Sequence, residues 1–279
     1  MSATTALTPA KAASDQRLHV DDATIGYDKR IISKDLSVSI PDSSFTVIVG
    51  PNACGKSTLL RALSRLLKPS VGRVVLDGAD IRSYRTREVA RRLGLLPQTS
   101  IAPDGITVAD LVARGRYPHQ TFIRQWIDAD ERAVAAAMAA TGVSDLSTRL
   151  VDELSGGQRQ RVWVAMALAQ ETGILLLDEP TTFLDIAHQI DLLELFTDLN
   201  KDGRTLVAVL HDLNHAARYG THLIAMKDGA VVAEGTPAQI VTAELVEHVF
   251  GLRCLIVPDP VVGTPQVVPL GRSRRNENS

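Results

Sequence analysis

Thr46 to Leu60 reads TVIVGPNACGKSTLL. A β-branched apolar run ends at Gly50, a loop with a second glycine at Gly55 follows, and Lys56, Ser57 and Thr58 open a leucine-rich segment of helical character. The pattern predicts a strand, a tight loop and a helix in succession. Glycine at both ends of the loop lets the backbone turn its N–H groups toward one centre, and the following helix adds unpaired amides and the positive end of its dipole. Such a cradle suits a polyphosphate. Lys56 can reach its terminal phosphates as a point charge and the Ser57 hydroxyl can ligate Mg²⁺ held by them, with Pro51, Asn52, Ala53 and Cys54 supplying the loop between. The plain alternative is a glycine turn with chance neighbours, against which the flanking strand and helix weigh.

The whole chain sets the bounds. Its 279 residues, 45% of them hydrophobic, suffice for one large α/β domain or two small ones with a sizeable core. A net charge of -2 from 30 basic and 32 acidic residues suggests neither nucleic acid nor an anionic membrane as a bulk partner. Two cysteines, Cys54 and Cys254, make no disulfide framework and suit a reducing cytosol. No apolar run approaches the roughly 20 residues that span a bilayer, and residues 1–16 lack the apolar core of a secretion signal. The chain is therefore expected inside the cell, with any membrane role borrowed from a partner.

Residues 1–16 are small and polar and read as a mobile tail, 17–252 as the main domain, and 253–279 as an extension ending in a charged tail from Arg272. LHVDDATIGY and LSVSI, from Leu18 to Ile40, predict antiparallel strands joined at Asp28-Lys29-Arg30. Leu59 to Lys68 predicts a helix stopped by Pro69; VGRVVLDG is a strand, Thr86 to Leu93 a basic helix, and Gln98 follows the apolar GLLPQ. From Thr107 to about Thr148 the pattern is helical throughout, an insert set within about 100–155. Its basic segment Arg114 to His119 reads, in isolation, as a solvated loop. ILLLDEP, RTLVAVL and the hairpin HLIAMKDGAVVAEG then alternate with the helices QRVWVAMALAQ and FLDIAHQIDLLELFTDLN, and short helices fill Pro237 to Phe250. Strands alternating with helices predict an α/β fold with a mostly parallel sheet covered on both faces, beside an antiparallel β subdomain and the helical insert.

In an open α/β sheet ligands sit beyond the carboxyl ends of the strands, and those ends carry Lys56 and Ser57, Gln98, Asp178 and Glu179, and His211. Asp178 is placed to orient Mg²⁺ and Glu179 to polarise an attacking water; a solvated pair entering a helix is the bland reading. LSGGQ, at Leu154 to Gln158, offers a second anion-binding cluster of amides at a helix start, yet one γ-phosphate needs only one cradle in its own subunit. A second chain would explain it.

At these motifs the sequence resembles the nucleotide-binding subunits of ATP-binding cassette transporters, over almost everything from Leu18 to Phe250. The resemblance implies a P-loop NTPase core of RecA type, ATP and Mg²⁺ as cofactors, and two copies clamping ATP between Gly50 to Thr58 of one and Ser155, Gly156, Gly157 and Gln158 of the other. It also implies that Tyr27 stacks on adenine, Gln98 contacts Mg²⁺ and senses the transmembrane partner, Glu179 is the general base, and Asp185 links the two sites across the dimer. His211 becomes the switch residue at the γ-phosphate; as a lone histidine at a strand end it reads more often as structural. Ala53 stands where the family has glycine, which is tolerable if its φ is negative. Cys54 is either an activated thiol, lowered in pKa by loop amides and Lys56, or a small filler residue.

ITVADLVARGRYPHQ, EPTTFLDIAHQIDLL and HDLNHAARY are similar to the ATPase subunits of bacterial iron-siderophore importers, a group shared with haem and cobalamin importers. The resemblance implies a separate permease, docked on Gln98 to about Arg124, a substrate-binding protein acting through it, and a peripheral place on the cytoplasmic face of the membrane. A solvated insert is the alternative for that surface, and a soluble cassette unlinked to transport, or an exporter subunit, the alternative for the whole.

Overall fold

The computed structural model describes residues 16–28, 30–98, 101–120 and 126–271. The expected tail over residues 1–15, Lys29 in the first turn, residues 99–100 and 121–125 of the expected docking surface, and the tail 272–279 lie outside the described residues.

The chain opens with an antiparallel pair, β1 (Leu18–Tyr27) and β2 (Arg30–Ile40). β3 (Phe45–Val49) leads through the phosphate loop into α1 (Lys56–Leu63), followed by β4 (Val71–Leu76), the short β5 (Ala79–Asp80), α2 (Thr86–Ala90) and β6 (Leu93–Leu96). The insert holds α3 (Val108–Ala113), a 3₁₀ turn over Arg114–His119 and α4 (Asp128–Ala140). α5 (Gly156–Ala169), β7 (Ile174–Asp178), α6 (Ile186–Lys201), β8 (Thr205–Val209), α7 (Leu213–Tyr219), β9 (His222–Lys227) and β10 (Ala230–Gly235) return to α/β alternation. α8 (Pro237–Ile240), α9 (Ala243–Phe250) and a hairpin of β11 (Cys254–Pro258) and β12 (Pro265–Pro269) complete the described chain.

Two sheets organise these elements. The six-stranded sheet runs β10-β9-β3-β8-β7-β6, parallel except at the β9–β10 hairpin, and β2-β1-β4-β5 forms an antiparallel sheet. β3, β7 and β8 are buried at every residue, as near-continuous apolar strands covered on both faces must be. On one face Leu59, Leu60 and Leu63 of α1 fill the space to the antiparallel sheet, with Ile25, Ile40 and Leu76. On the other, Val164 and Leu168 of α5, Phe196 of α6 and Ala217 of α7 pack with Phe45 and Leu177. Each fully buried Leu or Phe contributes about 1.5–3 kcal/mol relative to exposure, so the phosphate loop is anchored at the best-buried part of the molecule.

Several boundaries differ from the sequence expectation, each for a local reason. α1 ends at Leu63, short of Pro69, because Arg65 turns left-handed at φ 67° and its amide bonds back to Ala62 O at 3.0 Å. α2 ends at Ala90 because Leu93 is claimed by pairing with Ile174. The insert is not helical throughout: Pro118 sits in the 3₁₀ turn that follows α3. Nor is Arg114 to His119 a solvated loop. Arg116 is 3% exposed and gives Nε to Asp130 Oδ1 at 2.9 Å and Nη1 to Ala169 O and Glu171 Oε2, both at 2.7 Å. His119 Nε2 donates to Gln170 O at 2.8 Å, so this turn is pinned to the end of α5.

The C-terminal hairpin is also part of the packed body. Cys254 and Val267 are buried in the helix-side core. Asn214 of α7 accepts from Val267 N at 2.7 Å and donates to Val267 O at 3.3 Å, and Arg218 of the same helix reaches Asp259 at 3.0 Å.

Candidate functional site

The carboxyl ends of β3, β6, β7 and β8 open on one cleft of about 730 Å³. Its walls include Tyr27, Asn52, Ala53, Gly55, Lys56, Ser57, Thr58, Gln98, Glu179 and His211, bringing together residues from distant parts of the chain.

The loop is built by its backbone. Gly50 has φ 154° and a Cβ there would meet Met226 O at 2.2 Å, while Gly55 caps α1 at φ 106°. α1 has no side-chain cap and no acidic residue in its first turn, which suits its N-terminus to an anion. Lys56 is 5% exposed and bends back to donate to Gly50 O at 2.8 Å and Pro51 O at 2.9 Å, holding a buried positive charge at the mouth of the loop.

The structure bears on two expectations for this loop. Ala53 has φ 62°, so the negative φ that would make alanine unstrained is not met; its Cβ crowds the backbone in this left-handed region at about 1–2 kcal/mol. Cys54 is 4% exposed, and burial pushes its thiol pKa up, against the opposing pull of Lys56 and of loop amides. Its burial beneath Gly50 favours the filler reading over the activated thiol.

Beneath the loop, Ser57 Oγ donates to Asp178 Oδ1 at 3.0 Å. Burial raises the Asp178 pKa and the neighbouring Glu179 adds to the rise, against the opposing pull of the Ser57 bond, Arg61 and Lys56. Beside it, Glu179 accepts from His211 Nε2 at 2.8 Å and, more weakly, from Thr182 Oγ1 at 3.4 Å, and holds φ 53°. A left-handed glutamate at a strand end is a conformation that persists only where neighbours over-determine it. Tyr27, 40% exposed, accepts at its hydroxyl from Arg61 Nη1 at 3.0 Å, leaving a ring face open at the rim.

The oxygen donors fit a hard divalent ion. Ser57 and Asp178 meet at one point with Gln98 at the same wall, and among the described residues no trio of His, Cys, Asp or Glu forms a cage of its own. Mg²⁺ favours such a site, because it retains several waters and takes its remaining oxygens from substrate phosphates.

Ser155 to Gln158 and Asp185 are not part of this cleft. Ser155 caps α5 in a reciprocal box, its Oγ accepting from Gln158 N at 3.3 Å and its N–H donating to Gln158 Oε1 at 3.1 Å. Asp185 caps α6, accepting from His188 N at 3.0 Å and His188 Nδ1 at 2.7 Å; the backbone bond, with the side-chain bond second, lowers its pKa.

The ABC transporter family pattern matches residues 33–182, from β2 past the Asp178-Glu179 pair. This chain belongs to the ABC transporter family. The cassette is 60% identical over 258 residues to the ferric enterobactin transport ATP-binding protein FepC of Escherichia coli (strain K12), covering 92% of this chain and 95% of that protein. It is 47% identical over 249 residues to the iron(3+)-hydroxamate import ATP-binding protein FhuC of Bacillus subtilis (strain 168), covering 89% and 93%. Among solved structures it resembles the ATP-binding cassette MJ0796 in a dimeric, post-hydrolysis state bound to ADP and Pi. There the TM-score is 0.70 at 28% identity, over 78% of this chain and 98% of that one. The cassette is a nucleotide-binding protein, and ATP hydrolysis coupled to transport is its family's activity.

Sequence reasoning missed residues that line or support the site. Arg30 and Ile32 line the cleft below Tyr27, and Arg61 fixes the Tyr27 hydroxyl. Gln160 donates from inside α5 to Pro180 O at 3.0 Å. An unpaired-looking glutamine just before the apolar VWVAMALA run was the available signal for the last.

Proposed function

We propose that the cassette hydrolyses ATP as one of two identical copies that drive uptake of iron-siderophore complexes through a separate permease. The single observation that carries this reading is the 60% identity, over 92% of the chain, with a ferric enterobactin transport ATP-binding protein, on a chain whose cleft brings the phosphate loop, Gln98, Glu179 and His211 together. Haem or cobalamin cargo is the weaker reading, since both relatives described above are named for iron compounds.

In this reading the amides of Gly50 to Thr58 hold the phosphates, with Lys56 exchanging its carbonyl partners for β- and γ-oxygens, and Tyr27 offers its ring to adenine. Ser57, Gln98 and Asp178 would hold Mg²⁺, which when bound draws charge off the β- and γ-oxygens. Glu179 takes the proton of the attacking water. His211, whose Nε2 proton now goes to Glu179, is placed to turn it to the γ-phosphate instead. Ser155 to Gln158 of the second copy close the site, and Asp185 lies on the face between copies, where Phe183 and Ile186 are exposed.

A second cleft, of about 660 Å³ between Pro103 and Trp126, supports permease docking on the Gln98 to Arg124 region. It presents Tyr117 and Trp126 beside Asp104, Asp110 and Arg114, an aromatic surface with charged edges suited to a protein partner. Among the described residues no helix is long and apolar enough to cross a membrane, consistent with a peripheral subunit on the cytoplasmic face, reached by the binding protein only through the permease.

The test is uptake of labelled ferric siderophore in a strain lacking this gene. Restoration by the intact chain but not by Glu179→Gln supports the reading; unchanged uptake in the deletion strain refutes the cargo.

A further inference from the structure

Gln160 is 9% exposed, and its amide nitrogen donates to the carbonyl of Pro180 at 3.0 Å in a buried setting. That carbonyl belongs to the residue after Glu179, whose own left-handed backbone is held by Thr182 N donating to Glu179 O at 3.2 Å. The segment then doubles back over the first turn of α5. A Cβ on Gly156 would lie 3.5 Å from Phe183 Cβ, and one on Gly157 would lie 3.4 Å from Phe183 O. The Gln160 bond is both directional and buried. A buried carbonyl that loses its donor has no solvent to replace it.

The two ends of this bond serve different nucleotides. Under the function proposed above, on which this inference rests, Ser155 to Gln158 close over the partner copy's ATP while Glu179 acts on the ATP of its own subunit. We infer that Gln160 is a positioning residue that couples the two sites: closure of α5 on the partner's nucleotide moves the Pro180 carbonyl, and with it the Glu179 carboxylate. Gln160 touches neither nucleotide. Its removal therefore alters how one site answers the other more than how tightly either binds.

The experiment measures ATPase rate against ATP concentration with the full-length chain, at protein concentrations that support the dimer. Gln160→Met keeps length and volume and removes the donor; Gln170→Met is its matched control, since Gln170 donates to Ala90 O from the far end of α5, away from the site. Wild type is expected to hydrolyse cooperatively. Gln160→Met should bring the Hill coefficient toward one and lower kcat about fivefold, the effect of one net hydrogen bond, with KM for ATP within about twofold. Gln170→Met should lower the melting temperature while cooperativity stays. Cooperativity retained in Gln160→Met, or lost equally in Gln170→Met, overturns the inference. Should Gln160→Met not fold, Gln160→Glu provides the same reading, because an ionised carboxylate of equal length cannot donate to Pro180. A non-cooperative wild type overturns the two-site function itself, and the role of Gln160 with it.

Discussion

The phosphate loop and the LSGGQ stretch are both amide clusters at helix starts, yet they are finished to different degrees. Gly50 to Thr58 is enclosed: it leaves the centre of a buried sheet, carries its own lysine, and rests on Asp178 through Ser57. Ser155 to Gln158 is an exposed capping box whose Ser155 and Gln158 side chains are spent on each other, while the neighbouring Arg159 is turned back to the Leu154 carbonyl. One is a site that lacks a lid; the other is a lid that lacks a site. Under the function proposed above, the difference means that this chain encodes its own complement and that hydrolysis is a property of two copies.

The largest expected effect comes from leaving both clusters intact and removing the proposed base. Glu179→Gln should slow ATP hydrolysis about a hundred- to ten-thousand-fold and accumulate an ATP-bound dimer, seen by light scattering; hydrolysis at the parental rate would reassign the base. Ser155→Arg attacks the lid alone. It should cost on the order of a hundredfold in turnover, as loss of a donor to developing charge does, while nucleotide binding to the monomer is unchanged by calorimetry.

Lys56→Ala attacks the enclosed cluster, and the loss should already be present in the monomer: about 1.5–3 kcal/mol, roughly ten- to a hundredfold in Kd for ATP. If Ser155→Arg weakened monomer binding and Lys56→Ala did not, the contrast would be reversed. Ala53→Gly should relieve the left-handed strain and raise the unfolding free energy by up to about 1 kcal/mol, read by urea denaturation. The smallest effect is at Cys54, where a maleimide reagent should leave the native ATPase rate unaltered because the thiol is buried; rapid inactivation with protection by ATP would restore the activated-thiol reading.

What was legible in the sequence tracks how local the determining physics is. The loop from Gly50 to Thr58 could be read because its glycines, lysine and hydroxyls are contiguous, and the strand-end residues Gln98, Asp178 and His211 because each closes an apolar run. The sign of φ at Ala53 could not, since nothing in the neighbouring residue types separates αR from αL for alanine. Arg116 was misread because its partners Asp130, in α4, and Glu171, in the loop after α5, come from later in the chain and meet it only through packing. The contact of Glu179 with His211 likewise depends on β7 and β8 lying side by side in parallel register. Gln160 was missed for a related reason: its acceptor is a backbone carbonyl, which leaves no mark on the sequence.

The Asn214 clamp on Val267 has a practical consequence for how the chain can be cut or extended. Its side-chain amide meets the N–H and C=O of one residue, as the next strand of a sheet would, so a helix supplies the rung that β12 lacks. Ending the chain before Val267 would remove that rung, uncover the inner face of the hairpin, and slacken the helix directly downstream of His211. A reporter fused beyond Gly271 leaves the rung in place, and so leaves the histidine end of the cleft undisturbed.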